Sequence, residues 1–176
     1  MKDLVAYFSA TGITKDIAKT LADVANADIY EILPKEPYSV ADLDWNDENS
    51  RTSKECKDKS SRPKIAQSID ISPYGRIFVG FPIWWYHAPH IINTFLESHN
   101  FHSKIIIPFC TSGGSELETC MKFLKDSAPK AVFQQDKKFD FGSSRGSIRK
   151  WLESLEQDKK QGYFQALREA IIVYQM

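Results

Sequence analysis

The sequence predicts an α/β fold in which a doubly wound, five-stranded parallel sheet carries helices on both faces. Short runs such as residues 4–8 and 104–110 are apolar over most of their length, which is typical of strands covered on both faces. Segments whose apolar residues recur at helical spacing follow these runs. This alternation implies parallel strands joined by right-handed crossovers. The length of 176 residues suits one domain with a core of its own.

The first part of the chain contains two predicted strands with a helix between them. Residues 4–8, with the sequence LVAYF, form the first strand, and residues 27–32 form the second. Between them, apolar side chains recur every three or four residues and predict an amphipathic helix over residues 14–25.

A long polar segment, residues 34–75, interrupts the alternation, and its charges are segregated. Residues 36–50 carry five acidic side chains and no basic one, whereas residues 51–64 carry six basic side chains and two acidic ones. A segment of this length is more than a simple connection, and we expect it to contain a short helix near residues 63–69. The simplest interpretation of its charges is a solvated surface with internal ion pairs.

The remaining strands and helices alternate regularly. In order, they are a strand at 76–81, a helix from Pro89 with Ile91, Ile92, Phe95 and Leu96 on its apolar face, a strand at 104–110, a helix through Leu117, Met121 and Leu124, an interrupted last strand at 131–133 and 139–141, and a last core helix at 147–155.

The pattern places one domain at residues 1–155 and a C-terminal extension at residues 156–176. We expect the extension to be helical, with an apolar face formed by Tyr163, Phe164, Leu167 and Ile171. This face either docks on the domain or forms a dimer contact, and the sequence leaves both open.

Three of the predicted strands end in distinctive loops. Because the carboxyl ends of parallel strands meet at one edge of an open α/β sheet, where ligands bind, we expect these loops to lie together. The first loop contains Ser9, Ala10, Thr11, Gly12, Ile13 and Thr14; the second, residues 82–89, begins with Pro82, Ile83, Trp84, Trp85 and Tyr86; and the third contains Thr111, Ser112, Gly113 and Gly114.

Each loop suggests one part of a ligand site. The first offers hydroxyl groups, a glycine for a tight turn and the start of a helix, where backbone N–H groups favour an anion such as phosphate. In the second, adjacent side chains tend to point opposite ways, so we expect either Trp84 or Trp85 to face the ligand. The two glycines of the third allow close approach of the backbone. Together they suit a flat aromatic ring with a single phosphate, although each loop alone also suits a polar turn or a structural brace.

These three loops resemble the corresponding loops of the flavodoxin-like family, whose members bind flavin mononucleotide (FMN) noncovalently. The resemblance covers about residues 2–155 and implies the strand order 2-1-3-4-5. The first loop is similar to the family's phosphate loop, and the other two are similar to the loops that flank the flavin ring. The resemblance implies an FMN-dependent electron carrier or a small flavin reductase, in which the flavin performs the redox chemistry, so that no catalytic side chain is expected. Two roles of the long segment remain open: Tyr38 and Trp45 could cover the flavin, and the basic residues 51–64 could reach the flavin phosphate or a nucleotide.

Two features depart from the family pattern. Typical flavodoxins are strongly acidic, whereas this chain has 23 basic and 23 acidic residues, so docking on basic redox partners is in question. Flavodoxins often carry a glycine in the first ring loop, where a peptide flip stabilises the one-electron-reduced flavin. Residues 82–89 contain no glycine, and a flip into positive φ at Trp85 or Tyr86 would cost energy. We therefore expect little one-electron-reduced flavin and chemistry closer to two-electron reduction.

Several other functions are less well supported. The sequence Gly142-Ser143-Ser144-Arg145-Gly146 matches the G-x-S-x-G pattern of hydrolases, but all four histidines precede it, and a helix start is the simpler interpretation. His87 and His90 lack further ligands at metal spacing, so no metal site is expected. The balanced charge argues against nucleic-acid binding.

The predicted location and partners follow from the same features. An odd cysteine count of three suits a reducing compartment, and we expect a cytoplasmic protein without a signal peptide or membrane span. The candidate functions are an FMN-dependent electron carrier, an FMN-dependent NAD(P)H:quinone-type oxidoreductase, and a module that has lost its flavin. The expected partners are redox proteins or a small electron acceptor, for a monomer or a homodimer.

Overall fold

The computed structural model describes residues 1–114 and 117–174, with the side chains of the last helix described only as far as Asp158 and at Gln161. Strands and helices alternate along most of this length. The strands are β1 (Lys2–Tyr7), β2 (Asp28–Glu31), β3 (Tyr74–Pro82), β4 (Ile105–Thr111), β5 (Val132–Phe133) and β6 (Lys137–Phe139). The helices are α1 (Ile13–Ala25), α2 (Arg51–Lys57), α3 (His90–Glu97), α4 (Glu118–Ser127) and α5 (Arg145–Tyr174), with a 3₁₀ turn at Ala41–Leu43.

The strands form one parallel sheet in the order β2-β1-β3-β4-β5, which confirms the predicted fold and strand order. The last position is shared by two short strands. β5 pairs with Ile105 and Ile106 of β4, and β6 pairs with Phe109, Cys110 and Thr111 at the other end of the same strand. The interrupted last strand expected from the sequence is therefore present as two pieces.

Alternation along the strands divides the core into two layers. In β1, Leu4 and Ala6 lie in the layer that also contains residues of α3 and α4, whereas Val5 and Tyr7 lie in the layer with α1 and α5. Both layers are closed, because all four of these residues are at most 2% exposed. This double burial explains why the strand reads as a continuous apolar run.

The long connection between β2 and β3 differs from the prediction at one point. Residues 63–69 form no helix, because their backbone pairs with the chain just after β2: Ala66 N–H donates to Leu33 O at 2.8 Å, and Lys35 N–H donates to Lys64 O at 2.7 Å. The helix of this connection is α2 instead. It is capped by Ser50, whose Oγ accepts the Ser53 N–H at 3.3 Å.

The last helix crosses the predicted boundary at residue 155 without a break and continues to Tyr174. The side chains of Tyr163, Phe164, Leu167 and Ile171 lie outside the described residues. At its start, Ser144 Oγ accepts the Ser147 N–H at 3.1 Å, so the serine of the G-x-S-x-G pattern acts as a helix cap. None of the helices in the described part of the chain combines the length and the apolarity that a membrane span requires.

Candidate functional site

The first loop forms a tight turn into α1. Gly12 has φ of +93° at the N-cap position, a conformation that glycine adopts without steric cost, and its N–H donates to Ser9 Oγ at 3.1 Å. The first-turn N–H groups of a helix have no intrahelical acceptor, and with the helix dipole they favour an anion here. The nearby Lys15 ammonium is paired with Glu31 at 2.8 Å, so hydroxyl and backbone groups are the main donors of this loop.

Thr111 connects all three loops. Its hydroxyl shares a buried 2.8 Å hydrogen bond with that of Thr14 in the first loop, and its carbonyl accepts the Ile83 N–H of the second loop at 3.1 Å. Thr14 and Thr111 are 1% and 6% exposed, so both lie behind the loop surface. The structure thus brings the three loops together at one edge, with these two threonines at the junction.

The second loop contains a two-residue turn, which we call the tryptophan turn (residues 84–87). Trp84 and His87 exchange two backbone hydrogen bonds of 2.9 Å, and the two central residues, Trp85 and Tyr86, have φ of +45° and +65°. Positive φ at both central positions is the type I′ geometry, which normally selects glycine or asparagine. Both residues therefore adopt the backbone conformation that was expected to cost energy in this glycine-free loop.

Contacts from outside the turn offset the cost of this backbone, which is about 1–2 kcal/mol per residue. The thiol of Cys120 in α4 donates to Tyr86 O at 3.3 Å, and the rings of His87 and Phe123 meet edge to face at 4.8 Å. On the other side, the Trp84 ring packs edge-on against Phe8, with ring centroids 5.5 Å apart. The turn is thereby fixed by α4 and by the core.

A cavity of about 340 Å³ lies beside the tryptophan turn. It joins residues of the first two loops to residues of the long connection. Its lining consists of Ala10 and Thr11 from the first loop, Pro82, Ile83, Trp84 and Trp85 from the second, and Leu43, Trp45 and Thr52 from the connection. The lining therefore combines two threonines with three tryptophans.

The predicted residues of the third loop do not line this cavity. Thr111 is buried behind it, while Gly113 and Gly114 are exposed and have open space where a side chain would lie. The wall supplied by Leu43 and Thr52 was not predicted. The sequence held only an indirect signal for this wall, which was the presence of a tryptophan, Trp45, in an otherwise polar and acidic segment.

Both arginines of the long connection, and Lys57 among its lysines, form ion pairs. The Arg51 guanidinium bonds Glu55 at 2.7 Å and lies 4.0 Å from the centre of the Tyr38 ring, and Arg62 bonds Glu97 at 2.7 Å. Tyr38 in turn donates to Glu55 at 2.6 Å, and burial, followed by this bond, raises its pKa far above the ordinary value. The pairs of Arg51 with Glu55 and of Lys57 with Glu48 lie within the segment, as the charge pattern predicted, whereas Arg62 binds a carboxylate of α3.

The two histidines next to the turn, His87 and His90, are packed against other parts of the fold. His90 begins α3, and burial, followed by the charge of Arg62, lowers its pKa below the ordinary value of 6.5. His87 packs on Phe123, as described above. Within residues 1–114 and the described residues from 117 onwards, no three His, Cys, Asp or Glu side chains are grouped so that they could hold a metal ion.

Comparison with known families gives the same fold. A family model described as flavodoxin matches residues 2–155. The chain belongs to the flavodoxin family. Its match ends at the residue where the sequence pattern also ends, before the continuation of α5. No curated protein matches the chain.

Solved structures similar to this flavodoxin fall into two groups. A candidate flavoprotein from Bacteroides uniformis ATCC 8492 is 43% identical, with 86% of this chain and 97% of that chain covered and a TM-score of 0.83. One from Bacteroides eggerthii DSM 20697 is 42% identical, with 87% and 96% covered and a TM-score of 0.82. A flavoprotein from Lactobacillus acidophilus NCFM, solved in complex with FMN, shares the fold at 20% identity, with 78% and 92% covered and a TM-score of 0.64.

Proposed function

We propose that this flavodoxin binds FMN noncovalently and transfers electrons through it. The observation that carries the proposal is the cavity that the first loop lines together with tryptophans. A flat aromatic ring with one phosphate tail offers a partner to each of them, the phosphate to the loop and the ring to the indoles. When bound, the flavin supplies the redox chemistry.

The residues fit such a ligand in three respects. The start of α1 offers backbone N–H groups to a phosphate, and Thr11, just before it, offers a hydroxyl. These donors can hold a phosphate without a lysine or a metal ion. Trp85 and Ile83 offer an apolar wall to a ring. The Thr14–Thr111 bond holds these two parts at a fixed separation, because it joins the loop at the phosphate end to the strand beside the turn.

Similar proteins support the cofactor. The two Bacteroides proteins carry a flavoprotein designation at 43% and 42% identity, and the Lactobacillus protein with the same fold was solved with FMN. The cavity of this chain is therefore assigned to the flavin rather than to another phosphate ester.

Electron transport is the preferred role, and direct reduction of a small acceptor is the second candidate. The balanced charge of 23 basic and 23 acidic residues favours the second, because it gives no strong field for docking a basic protein. In that case, the protein acts as an NAD(P)H:quinone-type oxidoreductase. A cytoplasmic location, and a monomeric or homodimeric state, form part of the same proposal.

Titration of the apoprotein with FMN and with riboflavin tests the phosphate part of the proposal. We expect FMN to bind about 100-fold more tightly, since charge-assisted hydrogen bonds contribute roughly 1.5–3 kcal/mol each. Thr11→Val should reduce this ratio, whereas Thr20→Val, at an exposed hydroxyl further along α1, should not change it. Equal affinity for FMN and riboflavin would contradict the assignment of the first loop.

Mixing the loaded protein anaerobically with NADPH separates the two roles. Rapid bleaching of the flavin by NADPH alone would identify a reductase. Bleaching that requires an added partner reductase would identify an electron carrier.

A further inference from the structure

We propose that Trp45, in the long connection after β2, is the outer aromatic wall of the flavin site and stacks on the ring opposite the tryptophan turn. This inference rests on the proposed binding of FMN. It assigns a cofactor contact to a segment outside the three loops.

The first observation is the position of Trp45. It lines the cavity together with Trp84 and Trp85, although it comes from a part of the chain about 40 residues earlier in the sequence. Its side chain is 71% exposed. An indole exposed to this extent has most of its apolar surface in water, and a flat ligand in the cavity would remove part of that surface from water.

The second observation is that hydrogen bonds hold the backbone of the segment that carries Trp45. The 3₁₀ turn Ala41–Leu43 precedes it, and Asp42 O accepts the Thr52 hydroxyl of α2 at 2.7 Å. Thr52 is 2% exposed and also lines the cavity. Leu43, two residues before Trp45, is a further apolar residue in the lining of the cavity. A backbone held in this way loses little conformational freedom when a ligand binds.

Tyr38 anchors the start of the same segment in the core. Its ring meets those of Phe8 and Trp84 edge to face, at 5.8 Å and 5.5 Å between centroids. The segment that carries Trp45 is therefore packed against the tryptophan turn through Tyr38.

The charges of the segment determine which end of the ligand lies beneath it. Five acidic side chains and no basic one occupy residues 36–50, so this segment repels a phosphate. The oxidised flavin ring carries no charge. The phosphate therefore lies at the first loop, next to Ala10 and Thr11, and the ring lies between Trp45 and the turn.

Fluorine NMR of protein labelled with 5-fluorotryptophan tests this contact without any activity measurement. The chain has four tryptophans, so four resonances are expected, and each is assigned by its Trp→Phe variant. We expect saturation with FMN to shift the resonances of Trp45 and Trp85. The resonance of Trp151, which is buried among Phe78 and Phe139 on the other side of the sheet, should stay unchanged.

Affinity provides the second readout. We expect Trp45→Ala to raise the Kd for FMN by about 10-fold or more, the range found for removal of an aromatic ring stacked on a planar base. Trp45→Phe keeps a ring and should recover most of the affinity. Val40→Ala is the matched control, because Val40 is 90% exposed in the same segment and does not line the cavity.

The outcomes separate the inference from the proposed function. If wild-type protein binds FMN but the Trp45 resonance does not move and Trp45→Ala binds as tightly as wild type, the inference is wrong and the proposed function stands. If wild-type protein does not bind FMN, both are wrong. A shifted resonance together with weaker binding by Trp45→Ala, but not by Val40→Ala, would support the inference.

Discussion

We expect Gly80→Ala to destabilise the protein strongly, because the structure has no room for a methyl group at this position. Gly80 lies in β3, and a Cβ built there would be 2.1, 2.5 and 2.7 Å from three atoms of the Phe109 ring in β4. Phe109 is completely buried, and its ring meets that of Phe139 at 6.2 Å. The ring therefore has no free space into which it could move.

The magnitude follows from two opposing effects. Overpacking of a closed core costs about 1–3 kcal/mol or more, and three contacts this short place the cost at the upper end. Alanine gains back about 0.5–1 kcal/mol, because glycine loses more conformational freedom on folding. We expect a net loss of about 2 kcal/mol, which corresponds to a decrease of about 4–8 °C in Tm for a chain of this size.

Thermal and urea unfolding followed by circular dichroism measure this loss. Gly146→Ala is the matched control: Gly146 lies in the first turn of α5, the closest atom to its added Cβ is 3.7 Å away, and we expect unchanged or slightly higher stability. The double variant Gly80→Ala, Phe109→Leu should lose at least 1 kcal/mol less than the sum of the single losses, because the smaller side chain removes the clash. A Gly80→Ala protein that melts within 1 °C of wild type would refute the packing of β3 against β4.

Three further changes test the loops and the pH dependence. Tyr86→Gly should raise the free energy of unfolding by about 0.5–1 kcal/mol, since glycine adopts φ of +65° without steric cost; lower stability would mean that the turn has another conformation. Thr111→Val should cost about 1 kcal/mol through loss of its bond to the Thr14 hydroxyl, whereas Thr111→Ser should retain most of it; equal stability of both variants would remove the proposed junction. Because burial lowers the pKa of His90, its neutral form favours the fold, so stability should be complete above pH 6.5 and decrease as the pH falls below that value. His90→Gln should flatten this decrease in urea titrations, and an unchanged pH profile would contradict the burial of the ring.

Most of the sheet was predictable because its strands are covered on both faces. β1 reads as an apolar run, and residues 13–25 show helical spacing, so element type and order followed directly from the pattern. The predicted interruption of the fifth strand is present as two short strands, since each pairs with a different end of β4. The long connection was harder, because the backbone pairing of Pro34 with Ile65 competes with helix formation and leaves no periodic signal.

The candidate site was predictable in outline but not in its walls. Part of each of the first two loops lines the cavity, namely Ala10 and Thr11 of the first and residues 82–85 of the second, whereas the lining does not include Ser9, Gly12, Ile13, Thr14 or Tyr86. The positive φ values at Trp85 and Tyr86 were not predictable, because neither residue type favours them and the contacts that hold the turn come from α4. Since both central residues already have positive φ, the absence of glycine gives no ground for expecting two-electron chemistry, and a potentiometric titration of the loaded protein decides that question.

The binding of FMN is tested most directly by incubating the purified protein with excess FMN, removing free flavin by gel filtration, and recording the visible spectrum of the protein fraction. We expect a yellow protein with about one flavin per chain, whose absorbance band is perturbed relative to free FMN because the ring lies against tryptophan. The Trp85→Ala variant should retain clearly less flavin after the same procedure. A colourless wild-type fraction would contradict the assignment of this cavity to FMN, although the flavodoxin fold would stand.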